Sequence, residues 1–483
     1  MDDKDDYDEQ AIMLDQEEEG GDNFINPEEA VEVEVDEDNV PMDEEEEEEI
    51  EDEMEEQNDA ETPDMAITTI QSHNQNSIYA VSSYFDESTN TLQIVTGGGD
   101  DRAFLHTVSH LKDTDNNVFV STKPLKSHTD SVSCAVVNYS YALNETDTKY
   151  MAVGSYDGSV AIYSPDGSLV TTLEGPTDVE FLSFHPKGGS VLLAGSIADA
   201  TVWMFHVPTA KCMQVFVGHE CIGEGGGVTD GTFTPDGKFA LTVGMDGTAR
   251  LWAPRTGVCR HVFKLSQHEG SEMSAPAGLI CLAVNGGTDG QLAVAGGEDG
   301  IAHVMHLSGK KVVTRLAHFD SLSVPQNDED SVLMSIEGVG FAPKSINPNW
   351  LATGGSDGKL KIWDLTHGDG QCRQVCTVVN NSDESEDTAT GGITRLIWHP
   401  HLPIVIASYT DGNVRVWDAR NGRLLTTLYG GKLDNQINDL SVQVLNTEQG
   451  ATLGPLLIIT ATDDGESKIF KVDMNMLMND ASR

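Results

Sequence analysis

The residues of this chain that could do covalent or metal chemistry fall into four small groups, and each lacks a member that its chemistry requires. Gly223-Glu224-Gly225-Gly226-Gly227 is rich enough in glycine to approach a pyrophosphate, but it does not complete the G-x-G-x-x-G turn that opens a dinucleotide-binding helix. Gly430-Gly431-Lys432 has the lysine of a phosphate loop without its upstream glycine. His268-Glu269 is followed by Gly270 and Ser271, so the second histidine of a zinc hydrolase motif is missing. Cys372 and Cys376 have no second Cys or His pair at ligand spacing, and two ordinary thiols account for them. The expectation is a chain that is no enzyme, with no catalytic residue, no metal and no cofactor. What it holds in excess is carboxylate, 80 Asp plus Glu against 28 Lys plus Arg. Gathered on one surface, such acids attract a basic macromolecule, so the elements that gather them decide the function.

Those elements repeat. Residues 351–364, LATGGSDGKLKIWD, are two apolar runs bracketing a tight turn, with Asp357 placed to accept turn amides and Gly358 to supply a positive φ. Trp363 follows that Asp by six residues. The same spacing recurs at Asp100, Asp157, Asp199, Asp246, Asp299, Asp411 and Asp464, with His106, Tyr163, Phe205, Trp252, Met305, Trp417 and Phe470 in the aromatic position. The intervals, 57, 42, 47, 53, 58, 54 and 53 residues, mostly exceed the roughly 40–45 residues of WD40 blades, so loops are inserted between units. A third run ending in an aromatic precedes most turns, as in Phe184-His185-Pro186, Phe233-Thr234-Pro235, Phe341-Ala342-Pro343 and Trp398-His399-Pro400. A blade of such strands cannot bury both faces alone. Eight units therefore predict an all-β fold, an eight-bladed WD40 β-propeller. His128, His219 and His318, before the first strands of their units, read as hydrogen-bonded within the blade to a nearby Ser or Thr and Asp. Trp252, Trp363 and Trp417 read as core, while Trp203, which lies two residues before Phe205 in the aromatic slot, reads as partly exposed.

The two ends of the chain differ from the repeat. Residues 1–64 hold 33 acids and one Lys, a net charge of −32, and such a segment is expected to be a disordered acidic tail. Subtraction leaves 47 acids and 27 bases, a net charge of −20, for the rest. That argues against direct binding of nucleic acid and for a basic protein partner. The acidic start has no apolar signal-peptide core and no run is long enough to span a membrane; the seven scattered cysteines suit reduced thiols. The expected compartment is the cytoplasm, with the nucleus as a second. The propeller is expected over residues 65–472, and residues 473–483 as a C-terminal tail. The final repeat ends at its third strand, near Lys468 to Lys471, and Ala66 to Ile70 resembles a fourth strand, so the N-terminal segment is expected to close the last blade. The alternative is a ring closed without chain overlap.

The acids also cluster by position. In a propeller blade the loops between blades and the turns between second and third strands share one rim. Three insertions fall there: residues 266–277 with Glu269 and Glu272, 319–331 with Asp320, Asp328, Glu329 and Asp330, and 380–392 with Asp383, Glu384, Glu386 and Asp387. Asp130, Asp178, Glu180 and Glu337 flank the starts of first strands on the same rim, and Glu298 and Asp463 precede turn aspartates. The candidate partner-binding face is thus Asp130, Asp178, Glu180, Glu298, Asp330, Glu337 and Asp463, with Glu337 placed at the mouth of the central channel opposite Glu180.

The stretches TGGGDDRAF, EFLSFHPKGGSVLLAGSIADATVWMFHVP and DGNVRVWDARNGRLLTTLYGG resemble the angio-associated migratory cell protein family, whose fungal members are named suppressor of QM truncation. The resemblance covers residues 66–472. It implies a dedicated chaperone that binds the N-terminal segment of a basic large-subunit ribosomal protein, the QM protein, on an acidic propeller face until the client joins the pre-60S or 60S particle. Two other readings remain. Trp417-Asp418-Ala419-Arg420 matches the short W-D-x-R motif of substrate receptors for cullin ubiquitin ligases, and the acidity equally suits a histone-binding chaperone.

Overall fold

The computed structural model describes residues 63–111, 118–138, 149–187, 189–222, 226–265, 277–287, 291–319, 334–378, 391–432, 435–445 and 454–480. Residues 1–62 of the acidic tail expected over 1–64, and the bulk of the three acidic insertions, lie outside these residues.

Eight four-stranded antiparallel sheets follow one another along the chain. Their first strands, numbered here as blades 1 to 8, are Ile78–Asp86, Val132–Val137, Phe181–Phe184, Val228–Phe233, Leu279–Val284, Ile336–Phe341, Ile393–Trp398 and Ile437–Val444. Neighbouring first strands contact one another around the ring, including blade 1 with blade 8. Seven blades run through four consecutive strands. The eighth has three, Ile437–Val444, Leu456–Thr462 and Glu466–Val472, and its outer strand is Thr68–Gln71, which pairs Thr68 with Ile469 and Gln71 with Glu466. The closing strand read from the sequence is therefore present, over residues 68–71 where 66–70 was expected. The buried Lys468 ammonium tightens this seam, 2.9 Å from Asp64.

Packing explains why no blade stands alone. Each apolar cluster draws on two neighbouring sheets: Ile404, Val414 and Val416 of blade 7 meet Ile437, Leu456 and Phe470 of blade 8, and Ile459 and Ile469 of blade 8 meet Ile78, Leu92 and Ile94 of blade 1. At roughly 1.5–3 kcal/mol for each fully buried aliphatic side chain, the interfaces between sheets are the main source of cohesion. The turns obey the repeat. Asp157, Asp199, Asp246, Asp299, Asp357 and Asp411 each accept the amide two residues on, at 2.9–3.0 Å, and Gly358 has φ +72°.

The histidines serve the blades, as read. In blade 4 the His219 ring bonds Asp246 at 3.1 Å and the Thr242 hydroxyl at 2.8 Å, and that hydroxyl accepts the Trp252 indole N–H at 2.9 Å. Blade 6 repeats the relay through His318, Thr353 and Trp363 at 2.7 and 2.9 Å. His128 bonds Ser159 at 3.0 Å. Trp252, Trp363 and Trp417 are buried, and Trp203 is half-buried beside Phe205. The last described residues form a short helix, Met474–Asp480, whose start is capped by the Asp473 carboxylate at 2.8 Å from the Asn475 amide and whose Met474 is buried against blades 7 and 8. None of the described helices is long and apolar enough to cross a membrane. All seven cysteines are free thiols.

Candidate functional site

Seven of the eight first strands carry an irregularity near their start, where one residue is skipped in the pairing with the second strand. A bulge adds a residue on one strand and breaks the alternation of side chains. Two successive residues then line the axis of the ring: Thr229 with Asp230, and Thr394 with Arg395. Together with Glu180, Ile280, Glu337, Gln436 and Asn438 they enclose a cavity of about 620 Å³ at the mouth of the central channel.

The seven acids read from the sequence take different places. Glu180 and Glu337 both line the cavity. Burial pushes the Glu180 carboxyl above its ordinary value and nearby Asp178 pushes the same way, against the Tyr156 hydroxyl, which donates at 3.1 Å, and the charge of Arg395. Glu337 accepts the Ser335 hydroxyl. Asp130 is exposed on the rim, with one oxygen taking the Ser131 amide at 2.7 Å. Glu298 is half-buried and accepts the Gly278 amide at 3.0 Å. Asp463 is exposed and accepts the Asn438 side-chain amide at 2.7 Å. Asp178 is buried inside blade 3, where it accepts the Ser196 hydroxyl and, at 3.2 Å, the Ala198 amide. Asp330 lies outside the described residues.

The structure adds three charged residues that the turn-based alignment missed, Asp230, Arg395 and Asp439. Arg395 Nε lies 3.7 Å from Asp439. Asp439 accepts the Val81 amide of blade 1 at 2.9 Å, and Asp230 accepts the Leu282 amide of blade 5 at 3.0 Å, so each ties its blade to the next. Burial raises both carboxyls above their ordinary range while Arg395 pulls them back. Burial also works against the Arg395 charge, and Asp439, Asp230, Cys281 and Glu337 outweigh it, so the guanidinium stays charged. Its side chain is 55% accessible, because it faces channel water while protein encircles it. The mouth is thus four carboxylates around one guanidinium. It can receive a cationic segment; among the described residues no group of His, Cys, Asp and Glu could hold a metal ion.

Sequence and structure comparisons agree with this architecture. The family model "WD domain, G-beta repeat" matches residues 119–164, 210–253, 339–364 and 384–418. The angio-associated migratory cell proteins of Homo sapiens and Canis lupus familiaris are each 32% identical over 415 residues, spanning 85% of this chain and 81% of theirs. Among solved structures, Saccharomyces cerevisiae Sqt1 superposes with a TM-score of 0.67 at 19% identity, covering 85% of this chain and 100% of that one. Chaetomium thermophilum Sqt1 bound to the N-terminus of the ribosomal protein L10 superposes with a TM-score of 0.62 at 17% identity, again covering 85% and 100%. At such identities the likeness is one of fold.

Proposed function

The chain belongs to the family of the angio-associated migratory cell protein, and from that premise we propose that it is a dedicated chaperone of a basic large-subunit ribosomal protein. It holds the client's N-terminal segment at the acidic mouth of its channel and releases the client to the assembling 60S particle. One observation carries this reading: Glu180, Asp230 and Glu337 converge on a single cavity in a chain whose residues 65–483 carry a net charge of −20, counted as 47 acids and 27 bases. A concave site lined by one sign of charge concentrates the opposite sign and speeds its capture. The peptide-bound Chaetomium thermophilum Sqt1 supports the choice of client, because its fold superposes on this one and its bound segment is the N-terminus of a ribosomal protein.

Asp130, Glu298 and Asp463 form the outer ring of acids in this reading, Glu180 and Glu337 the inner contact, and Asp178 a support beneath Glu180. Binding rather than catalysis is the activity, in the cytoplasm and, for a client carried further, the nucleus. Residues 1–64 are the acidic arm, 65–472 the propeller and 473–483 a terminal appendage. The cullin-receptor reading gains nothing from Arg420, whose guanidinium is held against its own Asp418 at 2.6 and 2.9 Å. Co-purification of the tagged chain from a lysate decides among the readings: a stoichiometric large-subunit ribosomal protein is expected, whereas a cullin adaptor or histones as the main partner would replace the proposal.

A further inference from the structure

On the rim opposite the channel mouth, loops of blades 3 and 4 enclose a second groove of about 770 Å³. Its floor is apolar, built on Met204, Phe233 and Phe239, with Met213 at its edge 47% exposed. His185 closes the floor across the boundary between the blades. Its Nε2 donates to the Gly237 carbonyl at 3.1 Å, its Nδ1 accepts the Lys187 amide at 3.1 Å, and its ring stands edge-on to Phe233 at 4.8 Å. Both ring nitrogens are therefore used, and the imidazole is a fixed wall.

Around this floor stand Lys187, Lys238, Arg255 and Arg260, all exposed, and the single acid Asp236. Asp236 pairs with Lys238 at 3.0 Å. Among the described residues, Lys187, Arg255 and Arg260 have no ion-pair partner. That inverts the balance of the chain, in which 80 acids face 28 bases. Unpaired like charges around an accessible apolar floor work against stability by repulsion and by leaving apolar surface wet. Both penalties vanish when an anionic segment with an apolar anchor covers them.

We propose that this groove binds a short acidic segment of a partner protein, with one or two apolar anchors seated on Met213 and Phe239 and carboxylates paired with Lys187, Arg255 and Arg260. Arginine suits the role, since its guanidinium takes a carboxylate in two parallel hydrogen bonds. A nucleic-acid backbone fits less well: it offers no apolar anchor and meets a propeller of net charge −19, counted as 45 acids and 26 bases over residues 65–472. The site is separate from the channel mouth, so a chain can hold a basic client on one rim and an acidic partner on the other.

The test uses the full chain and an array of fluorescent nonapeptides, each of Glu and Asp with two Phe, Leu or Met residues at every spacing, beside controls with Ser in place of the anchors. Retention of anchored peptides is expected, weakening with added salt and falling at least about tenfold in the double variant Arg255→Glu, Arg260→Glu. The double variant should melt no lower than the parent and should capture the ribosomal-protein segment as the parent does, which separates loss of this site from failure of the chaperone reading. Failure to retain any anchored peptide, equal retention of the Ser controls, or unchanged affinity in the double variant overturns the proposal. So does tighter binding of a single-stranded oligonucleotide to the same residues. Dimerisation abolished by the double variant would assign the groove to a second copy and overturn it likewise.

Discussion

Arg395 is the base on which the acidic mouth depends, and replacing it with Met keeps the bulk of its stem while removing the charge. At 3.7 Å from Asp439, one unit pair is worth about 4 kcal/mol at an effective dielectric of about 20. The side chain is half accessible to channel water, which screens that figure to a net loss of about 1–2 kcal/mol. With about 2 cal/mol/K per residue of unfolding entropy over roughly 400 residues, the melting temperature should fall by roughly 1–3 °C. The pH dependence gives a sharper signature. Burial holds Asp230 and Asp439 above their ordinary values, and Arg395 pulls them down, so Arg395→Met lets both rise further. Between the unfolded value and the raised folded value, the folded chain binds more protons than the unfolded one, and stability falls as pH rises. The deficit of the variant should therefore be full at pH 7 and shrink as the pH is lowered toward the ordinary carboxylate range. Thermal melts of parent and variant followed by circular dichroism across pH 5 to 8 measure this difference. A variant as stable as the parent at pH 7, or a deficit that grows on acidification, would refute the reasoning.

Three further outcomes are expected. Truncation through Gln71 removes the outer strand of blade 8 and the Asp64 partner of Lys468, and the bare Glu466–Val472 edge should drive aggregation on size-exclusion chromatography; a soluble monomer would count against a closing role for that strand. Thr353→Val leaves His318 and the Trp363 indole N–H without their shared hydroxyl, which should cost roughly 1–3 kcal/mol for each orphan, while Thr353→Ser should melt near the parent. Burial, the largest cause, holds His106 down to about 3 and His303 and His399 down to about 4. Below the ordinary histidine value the unfolded chain binds the extra protons, so these rings take stability away as pH falls from about 6.5 toward 4, against the gain from the raised carboxyls; His303→Gln should therefore lose less melting temperature than the parent over that range, and equal slopes would contradict the burial of that ring.

The ring was legible because its signal repeats. One turn Asp recurs in eight units, followed six residues on by an aromatic ring in seven of them and by Met305 in the other, and the same chemistry, a carboxylate accepting turn amides over a positive-φ residue, forces the copies into the same turn. Blades 1 and 3 show how far the rule stretches, since Asp101 and Ala200 take positive φ of 62° and 55° where other turns use glycine. The closing strand was legible as a strand left over at one end and missing at the other. The site was only half legible. Glu180 and Glu337 were legible as mouth residues because both flank the start of a first strand on the shared rim, and both line the cavity. Asp230, Arg395 and Asp439 were not, because the bulge near the start of each first strand breaks the period-two alternation by which faces are assigned. Comparing the residue after the bulge across blades would have found them: Ala80, Cys134, Asp230, Cys281, Gly338, Arg395 and Asp439 occupy that column. Asp178 looked like a rim acid, but the Ser196 hydroxyl and Ala198 amide of its own blade draw it inward.

The account turns on the acidic mouth, and Glu337→Lys tests it most directly. Glu337 lines the cavity and is engaged by the Ser335 hydroxyl, so the substitution removes an attraction and adds a repulsion where a basic segment would enter, without emptying the core. Calorimetric titration with the N-terminal segment of ribosomal protein L10 should give one-to-one binding for the parent and, since losing one partner of a close charge pair costs about 2–5 kcal/mol, at least roughly tenfold weaker binding for Glu337→Lys. Affinity within about twofold of the parent, with the fold intact by circular dichroism, would remove the channel mouth from the binding site.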